Sequence, residues 1–148
     1  MPAIGKLTNN EVPNGFTHYA VITAAEAVAK TAGGQFTIAN VPPGGIVTGC
    51  GVFEKVNFTG TSTNVTLDVG VTGADPDDFI DALDIDGLTK AAYNTGDVLI
   101  NTAAGYYLNN TASPVPVLAE FNGTLTDAGA ATGEWVIALK ILDLGDVA

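Results

Sequence analysis

The chain has 148 residues, enough for one domain with a core of its own. Hydrophobic residues make up 47% and charged residues 14%, a balance that excludes a disordered chain. The formal net charge is −11, with five Lys and no Arg. Phosphate recognition rests on clustered Lys and Arg, so nucleic acid and anionic membranes are excluded as direct partners. Lys6, Lys30, Lys55, Lys90 and Lys140 are scattered and form no basic run. A positively charged protein surface, in contrast, would attract this chain over long range.

Cys50 is the single cysteine, so no internal disulfide is expected. Met1 to Asn10 lacks the basic and apolar regions of a signal peptide, and no apolar run approaches a membrane span. Synthesis in the cytoplasm is the expectation. The Asn-x-Thr strings at Asn57, Asn64, Asn109 and Asn122 are then read as turn and strand composition rather than glycosylation sites.

Residues 1–15 are polar and turn-rich, with Asn9-Asn10 and Pro13-Asn14-Gly15, and are expected to form an extended N-terminal arm. Residues 16–148 read as one β-sandwich domain. Strands are predicted at Phe16–Ile22 and Gln35–Val41, with Ala24–Lys30 between them open to either a helical turn or a continued strand. Asn40-Val41-Pro42-Pro43-Gly44-Gly45 is a strong turn signal. Ile46–Val56 follows as a long strand, with a bulge or bend expected at Gly49 and Gly51. Asn64–Val71 alternates Val65, Leu67, Val69 and Val71 against Thr66, Asp68 and Gly70, which assigns the first set to the core and the second to solvent.

The sequence then carries one good helix start. Asp75 offers a cap, Pro76 suits the first helical position, and Asp77 and Asp78 favour the positive end of the dipole. Phe79, Ile80 and Leu83 supply an apolar stripe, and Asp86-Gly87 a stop. Further strands are predicted at Val98–Thr102, Tyr106–Asn109, Pro114–Phe121 and Glu134–Leu142. Both faces of the last are largely apolar, which marks a central strand or one covered by a neighbour. The fold class expected is all-β: an eight-stranded jelly-roll-like sandwich with one short helix and an extended arm.

Nothing in this chain assembles catalytic chemistry, and no enzyme is expected. Nucleophilic catalysis needs a base beside the nucleophile, and the chain offers only His18 and Cys50, both read as strand residues. One His cannot build the multi-histidine metal site of an enzymatic jelly roll. The acidic run Asp75, Asp77, Asp78, Asp81, Asp84 and Asp86 invites calcium, and Asp84-Ile85-Asp86-Gly87 copies part of an EF-hand loop. Ala82 stands where that loop's first Asp belongs and Tyr93 where its bidentate Glu belongs. Gly33-Gly34 and Gly44-Gly45 lack the Lys and helix context of a phosphate loop. No catalytic, cofactor-binding or metal-binding residues are therefore expected, and no cofactor.

Over residues 34–142 the chain resembles the small jelly-roll decoration (cement) proteins of tailed bacteriophages. The parts that carry the likeness are the Asn40–Gly45 turn leading into Ile46–Val56, the strand Leu67-Asp68-Val69-Gly70, the acidic segment Asp77-Asp78-Phe79-Ile80-Asp81-Ala82, and the closing strand Gly133-Glu134-Trp135-Val136-Ile137. The resemblance implies a homotrimer on the outer face of the virion capsid, bound to the major capsid protein and stabilising contacts between its subunits, with no catalytic residues to carry over. An acidic surface suits solubility before assembly, trimeric avidity suits a lattice of identical sites, and the polar arm would order on binding. Trp135 and the doubly apolar closing strand are expected to make a contact between subunits or between sheets. The rival reading, a receptor- or glycan-binding head of a phage tail fibre, calls for an exposed aromatic cluster, for which Tyr106-Tyr107 is the adjacent pair.

Because the acidic run departs from the EF-hand pattern, millimolar calcium is expected to leave the melting temperature where magnesium leaves it. A calcium-specific rise of several degrees would contradict this.

Overall fold

Side-chain alternation along the strands converts into two antiparallel sheets that face each other across one core. The computed structural model describes residues 3–6, 15–30, 33–85, 92–93, 105–126 and 132–143. Within them the chain runs β1 (Ala3–Lys6), β2 (His18–Thr23), α1 (Ala24–Lys30), β3 (Gly34–Val41), β4 (Ile46–Val56), β5 (Thr61–Gly70), β6 (Ile80–Asp84), β7 (Ala92–Tyr93), β8 (Tyr107–Leu108), β9 (Val115–Thr126) and β10 (Glu134–Leu142). The first sheet has the order β1-β2-β10-β4-β7, with β8 also on β4; the second has the order β3-β9-β5-β6. The all-β sandwich with one short helix expected from the sequence is what forms.

Each sheet has a central strand, β10 in the first and β9 in the second, and these meet in the core. Trp135 of β10 packs on Phe121 of β9 with ring centroids 5.4 Å apart, and Phe121 meets Phe36 of β3 edge to face at 6.1 Å. Ile22, Ile38, Leu67, Ile137 and Leu139 complete the largest fully buried side chains around them. Truncating Trp135 to Ala would remove about 3–5 kcal/mol of burial and packing. Trp135 is therefore a core residue of its own chain, and of the two contacts expected for it, between subunits or between sheets, it makes the second.

The doubly apolar β10 has both of the causes proposed for it. It lies between β2 and β4, and its outward face is covered too. Val136 pairs with Phe53 and Val21, and Ala138 with Gly51 and Tyr19, on the face away from the core. Phe16 lies on this outer face, edge to face with Phe53 at 6.0 Å, with the Lys140 ammonium 5.5 Å from its ring. Beneath this cover Ala138 is only 4% exposed. Two irregularities set the register of β4 on β10. Lys140 faces Gly49 while Ile141 faces Val47, so Thr48 is the extra residue; Glu134 faces Val56 while Trp135 faces Glu54, so Lys55 is the second. The bend expected at Gly49 and Gly51 thus falls at Thr48, and it lets Val47 and Cys50, three apart, both enter the core.

The helix expected over Asp75–Leu83 does not form, and the one helix lies at Ala24–Lys30 instead. Thr23 and Glu26 make a capping box. The Glu26 amide donates to Thr23 Oγ1 at 3.3 Å, and the Thr23 amide donates to Glu26 Oε2 at 2.9 Å. An alanine-rich run then continues the helix. At 75–84 the Asp78 carboxylate serves the end of a neighbouring strand rather than a helix start. Asp78 Oδ2 accepts from the amides of Val71 at 2.7 Å and Thr72 at 2.9 Å. This return presses against Gly70, where a Cβ would lie 2.5 Å from Asp78 Oδ2. Phe79 N then donates to Val69 O, and Ile80–Asp84 pairs with β5 as an edge strand. Phe79 and Ile80 are both buried, a strand-end packing that a two-turn helix stripe also satisfies on paper.

The predicted strand Val98–Thr102 and the stop at Asp86-Gly87 lie outside the described residues. Tyr106–Asn109 contracts to Tyr107–Leu108, and the arm expected over 1–15 contains a strand, β1, paired with β2.

Asn109 closes the end of the sandwich where the Pro42–Gly45 turn arrives. It is fully buried, and its Nδ2 donates to Val41 O and Ser113 O, both at 2.9 Å. Its Oδ1 accepts from the Thr111 amide at 3.0 Å and the Thr111 hydroxyl at 2.7 Å. Its own backbone exchanges bonds with Gly44 and Gly45. Asn109→Asp keeps the shape but removes both donors, leaving two buried carbonyls facing a carboxylate. We expect a loss of about 2–4 kcal/mol, seen as a fall of roughly 5–15 °C in melting temperature; an unchanged melt would deny Asn109 this role.

Candidate functional site

The two outer faces of the sandwich differ in chemistry. On the second sheet, Asp68 of β5 points outward yet is only 6% exposed. Its Oδ1 accepts from the Ala82 amide at 2.5 Å and its Oδ2 from Asn122 Nδ2 at 2.7 Å. Beside it, Glu120 of β9 stands across from Asp68 and accepts from Gln35 Nε2 at 2.7 Å. Neutral amides thus partner these carboxylates, and Asp75, Asp81 and Asp84 continue the acidic margin as exposed side chains. Burial, the largest influence, pushes the Asp68 carboxyl above the ordinary carboxylate value. The bonds from Ala82 and Asn122 pull it down, and Asp75 and Asp81 push it up again.

This margin is where calcium was weighed. Asp78 and Asp68 turn their oxygens to protein donors, Ala82 takes a left-handed backbone with φ of 47°, and Asp86 lies outside the described residues. Among the described residues no three His, Cys, Asp or Glu side chains converge as a metal site would need.

His18 and Cys50 are not brought together. Both register with Leu139, one on each side of β10, so two strand spacings, roughly 10 Å, separate their backbones. Cys50 is buried, and burial alone pushes its thiol far up, away from thiolate chemistry. His18 Nδ1 lies 2.8 Å from the Thr17 hydroxyl.

The first sheet ends in an apolar strip. Leu142, Ile46 and Leu108 stand side by side across β10, β4 and β8. Leu142 is 50% exposed, Leu108 44% and the adjoining Tyr106 48%. Next to Leu142 a depression of about 260 Å³ is lined by Gly15, Thr17, Thr48, Lys140, Ile141 and Leu142. Thr17 builds its wall: its amide donates to Leu139 O and its hydroxyl accepts from the Ile141 amide at 2.9 Å, extending the β2–β10 ladder past the end of β2. Tyr107 turns the other way, against Phe79 with centroids 6.0 Å apart, so the two adjacent tyrosines do not form an exposed pair. Sequence reading missed this strip, because each of its leucines sits in an unremarkable strand and only pairing aligns them. Asn109 was missed as well, hidden inside an Asn-x-Thr string.

No family model matches the chain, and no curated protein matches it. Among solved structures it is similar in fold to a chain of the cyanophage Pam1 capsid asymmetric unit. The likeness has a TM-score of 0.50 and 19% identity, over 84% of this chain and 82% of that one.

The Asp68 assignment fixes a pH dependence. Its folded carboxyl holds a proton more readily than an unfolded one, so this group opposes folding at neutral pH. That opposition is relieved as pH falls through the raised folded value toward the ordinary carboxylate range, and is absent below both. Asp68→Asn keeps an acceptor for Ala82 and removes the buried charge. The variant should melt at or above the native temperature at pH 7, and its advantage should shrink as thermal melts are repeated toward pH 4. A difference that stays constant across this range would refute the assignment.

Proposed function

We propose that this protein is a structural, non-catalytic decoration (cement) protein of a phage head. In this reading it binds the outer surface of the capsid and stabilises contacts between major capsid subunits. The observation that carries the proposal is the likeness in fold, over more than four-fifths of both chains, to a chain of a phage capsid asymmetric unit. The strand order supports it: with β1 and the two-residue β8 set aside, β2-β10-β4-β7 facing β3-β9-β5-β6 has the strand order of a jelly roll. Fold alone does not carry function, so the surface must also fit. An apolar strip at one end of the first sheet, on a chain of net charge −11, suits docking on a protein surface rather than on phosphate or a membrane.

Leu142, Ile46, Leu108 and Tyr106 are the capsid-facing contact in this proposal, and the acidic margin of β5 and β6 faces solvent. The working unit is a homotrimer, since several weak contacts on a lattice multiply. Trp135 has no part in it. The tail-fibre alternative is weakened by Tyr107, which packs inward and leaves Tyr106 without the aromatic neighbour a glycan platform uses.

The test mixes purified protein with undecorated heads of the phage that encodes it, measuring occupancy and head melting. Full-length protein is expected to bind and raise the melting temperature of the head, while Leu142→Asp, at an exposed strand end, should fold normally and lower occupancy at least about tenfold. Failure of the native protein to bind such heads would sink the proposal. Native binding with an unaffected Leu142→Asp variant would move the contact elsewhere on the surface.

A further inference from the structure

The first strand is held at an edge of its sheet. β1 pairs with β2 alone, from Ala3 opposite Val21 to Lys6 opposite His18. Neither Ile4 nor Gly5 belongs to the core cluster, and Ile4 is 48% exposed. Its position is read by the sheet edge and by one steric fit: the Tyr19 ring lies over Gly5 so closely that a Cβ there would sit 2.5 Å from Tyr19 Cε1. Any chain bearing the same short strand satisfies these requirements equally well.

The connection between the two strands is too long for the hairpin it closes. Antiparallel neighbours are joined by loops of about 2–5 residues, yet residues 7–17 lie between Lys6 and His18. Of these, Thr17 is tied to β10 by bonds to Leu139 and Ile141. Residues 7–14 alone have a contour of roughly 30 Å, enough to place β1 on a neighbouring molecule. Charge points to which neighbour. Two copies at −11 repel each other over most of their surface, but neither β1 nor β2 contains a carboxylate, and β1 carries Lys6.

We infer that β1 is an exchangeable strand: the edge of β2 takes Ala3–Lys6 from a second copy of this chain. In dilute solution the strand from the same chain prevails, because a tether of this length holds it at an effective concentration of about a millimolar. Copies held side by side at comparable local concentration exchange strands without a new interface having to form. The inference deepens the decoration reading, which supplies a lattice where copies lie close. Its test needs no heads, so its failure leaves that reading untouched.

The experiment introduces Ala3→Cys and Val21→Cys together in the full chain. Directly opposed antiparallel residues have Cα atoms about 4.5–5.5 Å apart, within disulfide reach, and native Cys50 is buried away from them. The protein is oxidised with glutathione disulfide at about 10 μM and about 1 mM, bracketing the tether's effective concentration, and separated without reductant. Covalent dimers and larger multimers should rise at least about tenfold across that range. Mixing the Ala3→Cys and Val21→Cys single variants should give a cross-chain peptide joining positions 3 and 21, identified by mass spectrometry. Closed monomers alone at both concentrations, with no mixed peptide, would overturn the inference.

Discussion

The contact on which the rest of this molecule depends is that of Trp135 with Phe121. Each ring belongs to the central strand of its sheet, so one aromatic pair, 5.4 Å between centroids, joins β10 to β9. Everything else is hung from these two strands: β2 and β4 on either side of β10, β3 and β5 on either side of β9. β9 and β10 follow one another in the chain, but strands hung on them come from far away in sequence, with Ile22 beside Trp135 in the finished sheet. Folding must close long loops before this core repays them, which places the protein among slow-folding all-β topologies.

Around that apolar centre, Asn109, Asp68 and Asp78 are satisfied locally and with neutral partners, whereas Glu54 Oε2 and Trp135 Nε1 are buried without a hydrogen-bond partner among the described residues. Asn109 serves four side-chain bonds inside one corner, and Asp68 and Asp78 are held by backbone amides. The ion pair of Lys55 with Glu134, at 3.1 Å, is largely exposed and adds little. The surplus of carboxylates over Lys gives the molecule a negative surface field. Such a field leaves the apolar end of the first sheet and the carboxylate-free β1–β2 edge as the parts where a second copy meets least repulsion.

The period-two pattern made much of this legible. Val65, Leu67 and Val69 are buried as their alternation requires, and Trp135, Ile137, Leu139 and Ile141 form the inward face of β10. The Asn40–Gly45 turn falls between β3 and β4. What misled was local helix chemistry taken without its surroundings. Asp75, Pro76, Asp77 and Asp78 satisfy every rule for a helix start, but a carboxylate that caps a helix can equally cap the end of a strand, and Val71 and Thr72 present free amides to Asp78. The true helix carried a stronger signal in Thr23-Ala24-Ala25-Glu26, a reciprocal capping box hidden by its position directly after a strand. The apolar strip was not legible at all. Leu108 and Leu142 lie 34 residues apart in sequence and become neighbours only through the pairings of both β8 and β10 with β4.

The strand order also gives the molecule a mechanical polarity. A pull applied at Leu142 along β10 loads two ladders in shear at once, against β2 and β4, and both must yield together. A pull applied at Ala3 meets one four-residue ladder at an open edge, which peels pair by pair. Tension through one end of the fold is borne by the whole first sheet, whereas tension through the other is relieved by releasing a single strand and leaving the core intact.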